Sequence, residues 1–113
     1  MTTDPQLVSI IMPTYNCGAF IAETIATVQE QTHPNWELLV VDDCSTDDTA
    51  EVVGALAECD PRIRYVRLET NSGAAMARNR AMELARGRYM AFLDSDDLWH
   101  PDKLRRQIDF MTS

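Results

Sequence analysis

Asp94, Asp96 and Asp97 place three carboxylates within four residues, with Ser95 between the first two. Such groups repel one another unless a cation neutralises them. Hard oxygen donors at this spacing suit Mg2+ or Mn2+, ions that keep bound waters and share phosphate oxygens. The blander account makes them the cap and first turn of a following helix, where negative charge meets the helix dipole. That helix is expected near Pro101, too late to explain Asp94 or Asp96, so the metal reading is favoured. A second acidic pair, Asp42-Asp43, closes another apolar run. Side chains alternate along a strand, so these two should face opposite ways, one toward a rim pocket and the other toward local backbone N–H groups. Asp47 and Asp48 fall in an expected first helical turn, where the dipole accounts for them. Tyr15 could stack on a base or simply pack. Gly73 opens a helix, where backbone N–H groups can face an anion. Arg78 on the same helix suits phosphate, whereas Arg80 reads as a solvated surface residue.

These residues need elements to hold them. Leu7 to Met12 (LVSIIM) is an apolar run that Pro13 is expected to stop, and Trp36 to Val41 (WELLVV) is a second. Ile63 to Leu68 alternates apolar and basic residues, which suits a strand nearer a sheet edge. Tyr89 to Leu93 (YMAFL) is the fourth. Strands apolar on both sides belong in a sheet covered on both faces, which favours parallel pairing. Between them, Ala19 to Gln31 sets Ile21, Ile25 and Val28 on one helical face. Ser45 with Asp48 reads as a capping box opening a second helix whose apolar side is Val52, Val53 and Leu56. Gly73 to Ala85 is a third, stopped at Arg86-Gly87, and a fourth begins near Pro101-Asp102 with Leu104, Ile108 and Met111 inward. The order βαβαβαβα implies an α/β protein with a Rossmann-like open parallel sheet and helices on both faces. Ligands of such sheets sit beyond the carboxyl ends of the strands, and the polar clusters collect at those four ends.

The 113 residues allow one domain with one core. With 45% hydrophobic and 25% charged residues the chain is a globular one. Its formal net charge of −8 argues against a nucleic-acid surface, which needs clustered Lys and Arg. It also means that a phosphate ligand requires a cation, local arginines or oriented N–H groups. No apolar run approaches the roughly 20 residues that span a bilayer, and the opening Met1-Thr2-Thr3-Asp4-Pro5 lacks the basic and apolar regions of a signal peptide. A cytoplasmic location is therefore expected, free or at the cytoplasmic face of a membrane. Cys17, Cys44 and Cys59, with no C-x-x-C pair, read as small buried or half-buried thiols. His33 and His100, each beside a proline, read as ordinary turn or surface residues.

Four stretches, VSIIMPTYN, LLVVDDCSTDDT, NSGAAMARNRAMELARG and YMAFLDSDDLWHP, together resemble the inverting nucleotide-sugar glycosyltransferases of family 2. The resemblance runs from Leu7 to about Ile108 and implies a GT-A type fold. It implies that Pro13 and Tyr15 line the base and ribose pocket and that Asp43 hydrogen-bonds the nucleobase. It sets Asn71, Gly73 and Arg78 near the nucleotide, Asp94 toward ribose or metal, and Asp96 on the cation bridging the two phosphates. It implies a nucleotide-sugar donor, UDP-linked first, Mn2+ or Mg2+ as cofactor, and a carbohydrate or lipid-linked acceptor. Cys44 stands where a glycine or another small residue is common, and Ala81 where glycine is frequent. Family members continue well past the DSDD segment, so residues 1–113 read as the nucleotide-sugar-binding N-terminal part of a truncated domain. The acceptor region and general base are expected beyond the chain end. Exposed sheet edges leave room for a homodimer. Two rivals are a receiver-like phosphoacceptor domain, imitated by Asp42, Asp43 and Asp94, and a binding module that holds donor without turnover.

Overall fold

The computed structural model describes residues 6–112, with side chains described through residue 110. The opening Met1–Pro5 and the side chain of Met111 lie outside the described residues. Four strands, β1 (Val8–Thr14), β2 (Trp36–Asp42), β3 (Ile63–Arg67) and β4 (Tyr89–Phe92), alternate with α1 (Ile21–Gln29), α2 (Thr49–Cys59), α3 (Ala74–Leu84) and α4 (Lys103–Thr112). All pairings are parallel, in the spatial order β3-β2-β1-β4.

That order decides where the helices lie. The chain steps from β1 to β2 to β3 in one direction, then returns past β1 to β4. Because crossovers between parallel strands are right-handed, reversing direction moves the connecting helix to the opposite face. Val8, Ile10 and Met12 of β1 and Trp36, Leu38 and Val40 of β2 accordingly pack with Ile21, Ile25, Val28, Val53, Leu104 and Ile108. Ile11, Leu39 and Val41, one residue out of phase, pack with Ala77 and Ala81 of α3. The alanines let α3 lie close to the sheet, so Ala81 has a packing reason where glycine is frequent. β3 is an edge strand as expected. β4 is the other edge among the described residues, with Met90 and Phe92 exposed and Ala91 buried, so it is apolar on both sides but covered on only one.

Pro13 does not end β1. The strand runs on through Thr14, opposite Asp42. Thr14 O accepts the Asp43 N–H, so Pro13 directs its backbone nitrogen toward the β4 side, where pairing has already ended at Ile11 opposite Phe92. The missing N–H breaks no ladder bond there. α3 ends at Leu84 rather than at a glycine stop. Gly87 has a different role: a Cβ there would lie 2.7 Å from Leu7 O, Ser9 N and Ser9 Oγ, so the chain can cross under β1 only without a side chain. Beside it, buried Glu37 accepts Ser9 Oγ–H and the Arg86 N–H and pairs with Arg64, fastening the α3–β4 turn beneath the sheet. At the end of α2, the Arg62 guanidinium holds the Asp60 carboxyl below its usual range. No helix among the described residues is long and apolar enough to cross a membrane.

Candidate functional site

A hollow of about 310 Å³ opens beyond the carboxyl ends of β1 and β2, lined by Pro13, Thr14, Tyr15, Asp43, Asn71, Ala74 and Ala77. It therefore gathers four of the sequence-predicted site residues, from three different strand-end loops. Tyr15 is half exposed at its wall. The Thr14 side chain is buried, and its hydroxyl has no hydrogen-bond partner among the described residues. Thr14 carries no signal in the sequence, since nothing in its neighbours distinguishes a packed threonine from an orphaned one.

The two acids that close β2 part as the pleat requires, but both are engaged. Asp42 is fully buried and accepts the Ser45 N–H at 2.9 Å, Ser45 Oγ–H at 2.5 Å and the Tyr65 hydroxyl. Burial, and then this bond to Asp42, push the Tyr65 phenol well above its usual range, so it stays a donor. Asp43 faces the hollow, and its carboxylate accepts the N–H groups of Ser72 at 2.6 Å and Gly73 at 2.9 Å. The anion met by the Gly73 N–H is thus Asp43 itself. Gly73 has φ +97°, a conformation that favours glycine.

Ser45 does not cap α2. That helix starts at Thr49 after Asp48, with no side-chain cap bond, because the Ser45 hydroxyl is committed to Asp42 and to the Asn16 N–H. Asp47 precedes the helix and accepts the Thr49 N–H and Oγ1–H and the Gly18 N–H, which hold its carboxyl below the usual range. It ties two strand-end loops together rather than merely complementing a dipole. Asn16, at φ +50°, does the same by accepting the Thr46 and Asp47 N–H groups. Cys44 sits at φ +62°, the physical reason a glycine suits that position. Its sulfur contacts, to Arg67 Nη2 at 3.7 Å and Glu69 O at 3.8 Å, are long. Cys44→Gly is expected to raise stability by up to about 1 kcal/mol, strain relief outweighing the greater freedom of the unfolded chain. A denaturant midpoint that falls would contradict this. Of the other thiols, Cys17 is buried and Cys59 is exposed rather than half-buried. His33 is buried, its Nε2 bonded to Gln6 O, so it is not a surface residue, while His100 is exposed.

The acidic turn after β4 does not line this hollow. Asp94, Asp96 and Asp97 are exposed, and Asp97 turns one oxygen to the Leu98 N–H. The carboxylates of Asp94 and Asp96 have no partner among the described residues, and no three-residue metal cluster forms there. Two unpaired hard oxygen donors nonetheless fit Mg2+ or Mn2+, which bind through one or two carboxylates with phosphate oxygens completing the shell. Arg78 is exposed on α3 and is not among the residues lining the hollow.

The glycosyl transferase family 2 model matches residues 9–113. The chain belongs to that family. This family 2 chain is 53% identical over 111 residues to TuaG of Bacillus subtilis, a glycosyltransferase named for teichuronic acid biosynthesis, covering 98% of this chain and 44% of TuaG. It is 51% identical over 108 residues to WfgD of Escherichia coli, a UDP-Glc:alpha-D-GlcNAc-diphosphoundecaprenol beta-1,3-glucosyltransferase, covering 96% of this chain and 42% of WfgD. Among solved structures it superposes on S. aureus TarS 1-349 in complex with UDP, with a TM-score of 0.86, 36% identity and coverage of 93% of this chain and 32% of that one. The mannosyltransferase PcManGT from Pyrobaculum calidifontis, in complex with GDP-Man and Mn2+, matches with a TM-score of 0.88 at 32% identity, covering 99% of this chain and 34% of that one. The fold is thus the GT-A type, and the chain spans less than half the length of these relatives. The receiver-like reading finds no support, and Asp42, half of the acidic pair that it needed around Mg2+, is engaged by Ser45 and Tyr65 instead.

Proposed function

We propose that this chain is the donor-binding portion of a glycosyltransferase that moves a sugar from a nucleoside-diphosphate sugar, a UDP-sugar first, to an acceptor hydroxyl. The observation that supports it most is Asp43 at the hollow between Tyr15 and Asn71, on a family 2 scaffold. An ionised carboxylate offers about four lone-pair sites, of which Ser72 and Gly73 use two, so Asp43 can also accept from a nucleobase N–H. Tyr15 offers a ring face to the base, while Pro13, Ala74 and Ala77 exclude water from it. Asn71 donates to Asp43 O at 3.3 Å, which leaves its amide oxygen for the ribose.

Asp94 and Asp96 would hold Mn2+ or Mg2+, which supplies charge neutralisation on the departing diphosphate. Such a cation resolves the difficulty of an acidic rim binding an anion, and Arg78 on exposed α3 adds a longer-range positive charge. The general base and the acceptor region are assigned to sequence beyond Ser113. An acceptor linked to a lipid through diphosphate, as in the WfgD name, suits an enzyme working at the cytoplasmic face of the membrane. The edge of β4 that is unpaired among the described residues leaves a surface through which two copies could pair.

Titrating UDP into the chain by calorimetry, with and without Mn2+, tests the reading. Mn2+ is expected to tighten binding, and Asp96→Ala to lose that gain while keeping the metal-free affinity. An Asp96→Ala chain that still gains from Mn2+ would refute the role given to Asp96.

A further inference from the structure

From Asp94 to Asp102 the backbone lies in neither strand nor helix, although it carries the acidic turn. Polar backbone groups in such a segment need partners, and one side of α1 and its C-terminal extension supplies them. Thr24 Oγ1–H donates to Ser95 O at 2.9 Å, and Thr27 Oγ1 accepts the Trp99 N–H at 3.2 Å. Gln31 donates to His100 O at 2.8 Å and accepts the Leu104 N–H at 3.0 Å, while the Thr32 N–H donates to Pro101 O at 2.9 Å. Thr24, Thr27 and Gln31 follow one another at helical spacing, so they form a polar stripe beside the apolar face of Ile21, Ile25 and Val28. A buried threonine inside a helix is less favourable there than alanine or leucine. Helix stability therefore does not account for the stripe, whereas the 95–104 segment does.

Ser95 is tethered twice. Its carbonyl is held by Thr24, and its hydroxyl lies 2.7 Å from Cys17 Sγ. Cys17 is itself fixed, its N–H donating to Thr49 Oγ1 at 3.1 Å. The residue between Asp94 and Asp96 is thus pinned to α1 and to the loop that follows β1, while the two carboxylates remain unpartnered. We infer that Thr24, assisted by Cys17, Thr27 and Gln31, is a positioning residue that presets Asp94 and Asp96 for a divalent cation. Supporting groups of this kind lock the geometry of ligands they do not join. The inference rests on the metal role proposed above.

The test is Mn2+ affinity in the presence of UDP, read from the free-ion signal in electron paramagnetic resonance. Thr24→Val keeps the shape and removes the hydroxyl. It is expected to weaken Mn2+ by about 10- to 100-fold, the usual effect of losing a group that orients metal ligands. Metal-free UDP affinity should stay unchanged, and Thr24→Ser should restore Mn2+ binding. A folded Thr24→Val chain that binds Mn2+ as the wild type does would overturn the inference alone. A wild-type chain that binds no Mn2+ would instead remove the metal reading beneath it. Should Thr24→Val not fold, Cys17→Ala cuts the other tether of Ser95 without altering α1. It is expected to weaken Mn2+ in the same direction, and an unchanged affinity there overturns the inference equally.

Discussion

Replacing Asp43 with alanine is expected to lower stability by about 2–3 kcal/mol and to abolish UDP binding, because one carboxylate serves two purposes. Hydrogen bonds to a charged group contribute about 1.5–3 kcal/mol each. Asp43 accepts two, from Ser72 at 2.6 Å and Gly73 at 2.9 Å. Part of that is recovered when the freed N–H groups meet water, since Ser72 is exposed and Gly73 half-buried. The loop from Thr70 to Gly73 would then keep the Asn71 bond to the backbone carbonyl of residue 43, at 3.3 Å, but lose both carboxylate anchors, so Asn71 would be held less firmly at the wall of the hollow. Asp43→Asn provides the control. Its single amide oxygen can keep one of the two N–H bonds, so it should recover part of the stability but little of the nucleotide affinity. Denaturant unfolding and UDP calorimetry separate the two effects. An alanine variant with wild-type UDP affinity would exclude Asp43 from the nucleotide site.

The second large effect lies at the other end of the sheet. Glu37→Ala is expected to destabilise by about 3 kcal/mol, since removing a buried acceptor leaves its donors unpaired at about 1–3 kcal/mol each. Glu37 is 8% exposed and takes Ser9 Oγ–H at 2.6 Å and the Arg86 N–H at 2.7 Å. Its ion pairs with Arg64 and Arg86 contribute less, because Arg86 in particular is well solvated. Nucleotide affinity at the opposite end should change little once the chain is folded. A thermal midpoint near that of the wild type would show that the Ser9 and Arg86 donors find other partners.

The contrast between these two acids shows what was legible beforehand. Asp43 stood out because it closes an apolar run beside other rim residues. Glu37 sits inside WELLVV and carried no signal, since its partners Ser9, Arg64 and Arg86 are distant in sequence and meet only through the parallel register. Ser45 illustrates a local rule overridden. Its spacing to Asp48 suits a capping box, yet a buried carboxylate at Asp42 competes for the same hydroxyl and wins, because leaving that charge unpaired in the core costs more than leaving a helix end to water. Pro13 is the converse case: a strand breaker is harmless where the neighbouring strand has already ended.

The α/β order, the parallel sheet, the edge position of β3 and the family were all readable from the residues, because these depend on hydrophobic period and on short motifs carried within single segments. The four strand ends where polar residues gather were marked there too. How those ends divide depends on the folded arrangement. Pro13, Tyr15, Asp43 and Asn71 share one hollow, whereas Asp94 and Asp96 stand apart on a turn hung from α1. The same holds for the Gly73 N–H, which faces Asp43, and for Thr24, which holds Ser95. Hydrogen-bond partners are chosen by distance in space, and a threonine or serine has the same appearance in a sequence whichever partner it meets.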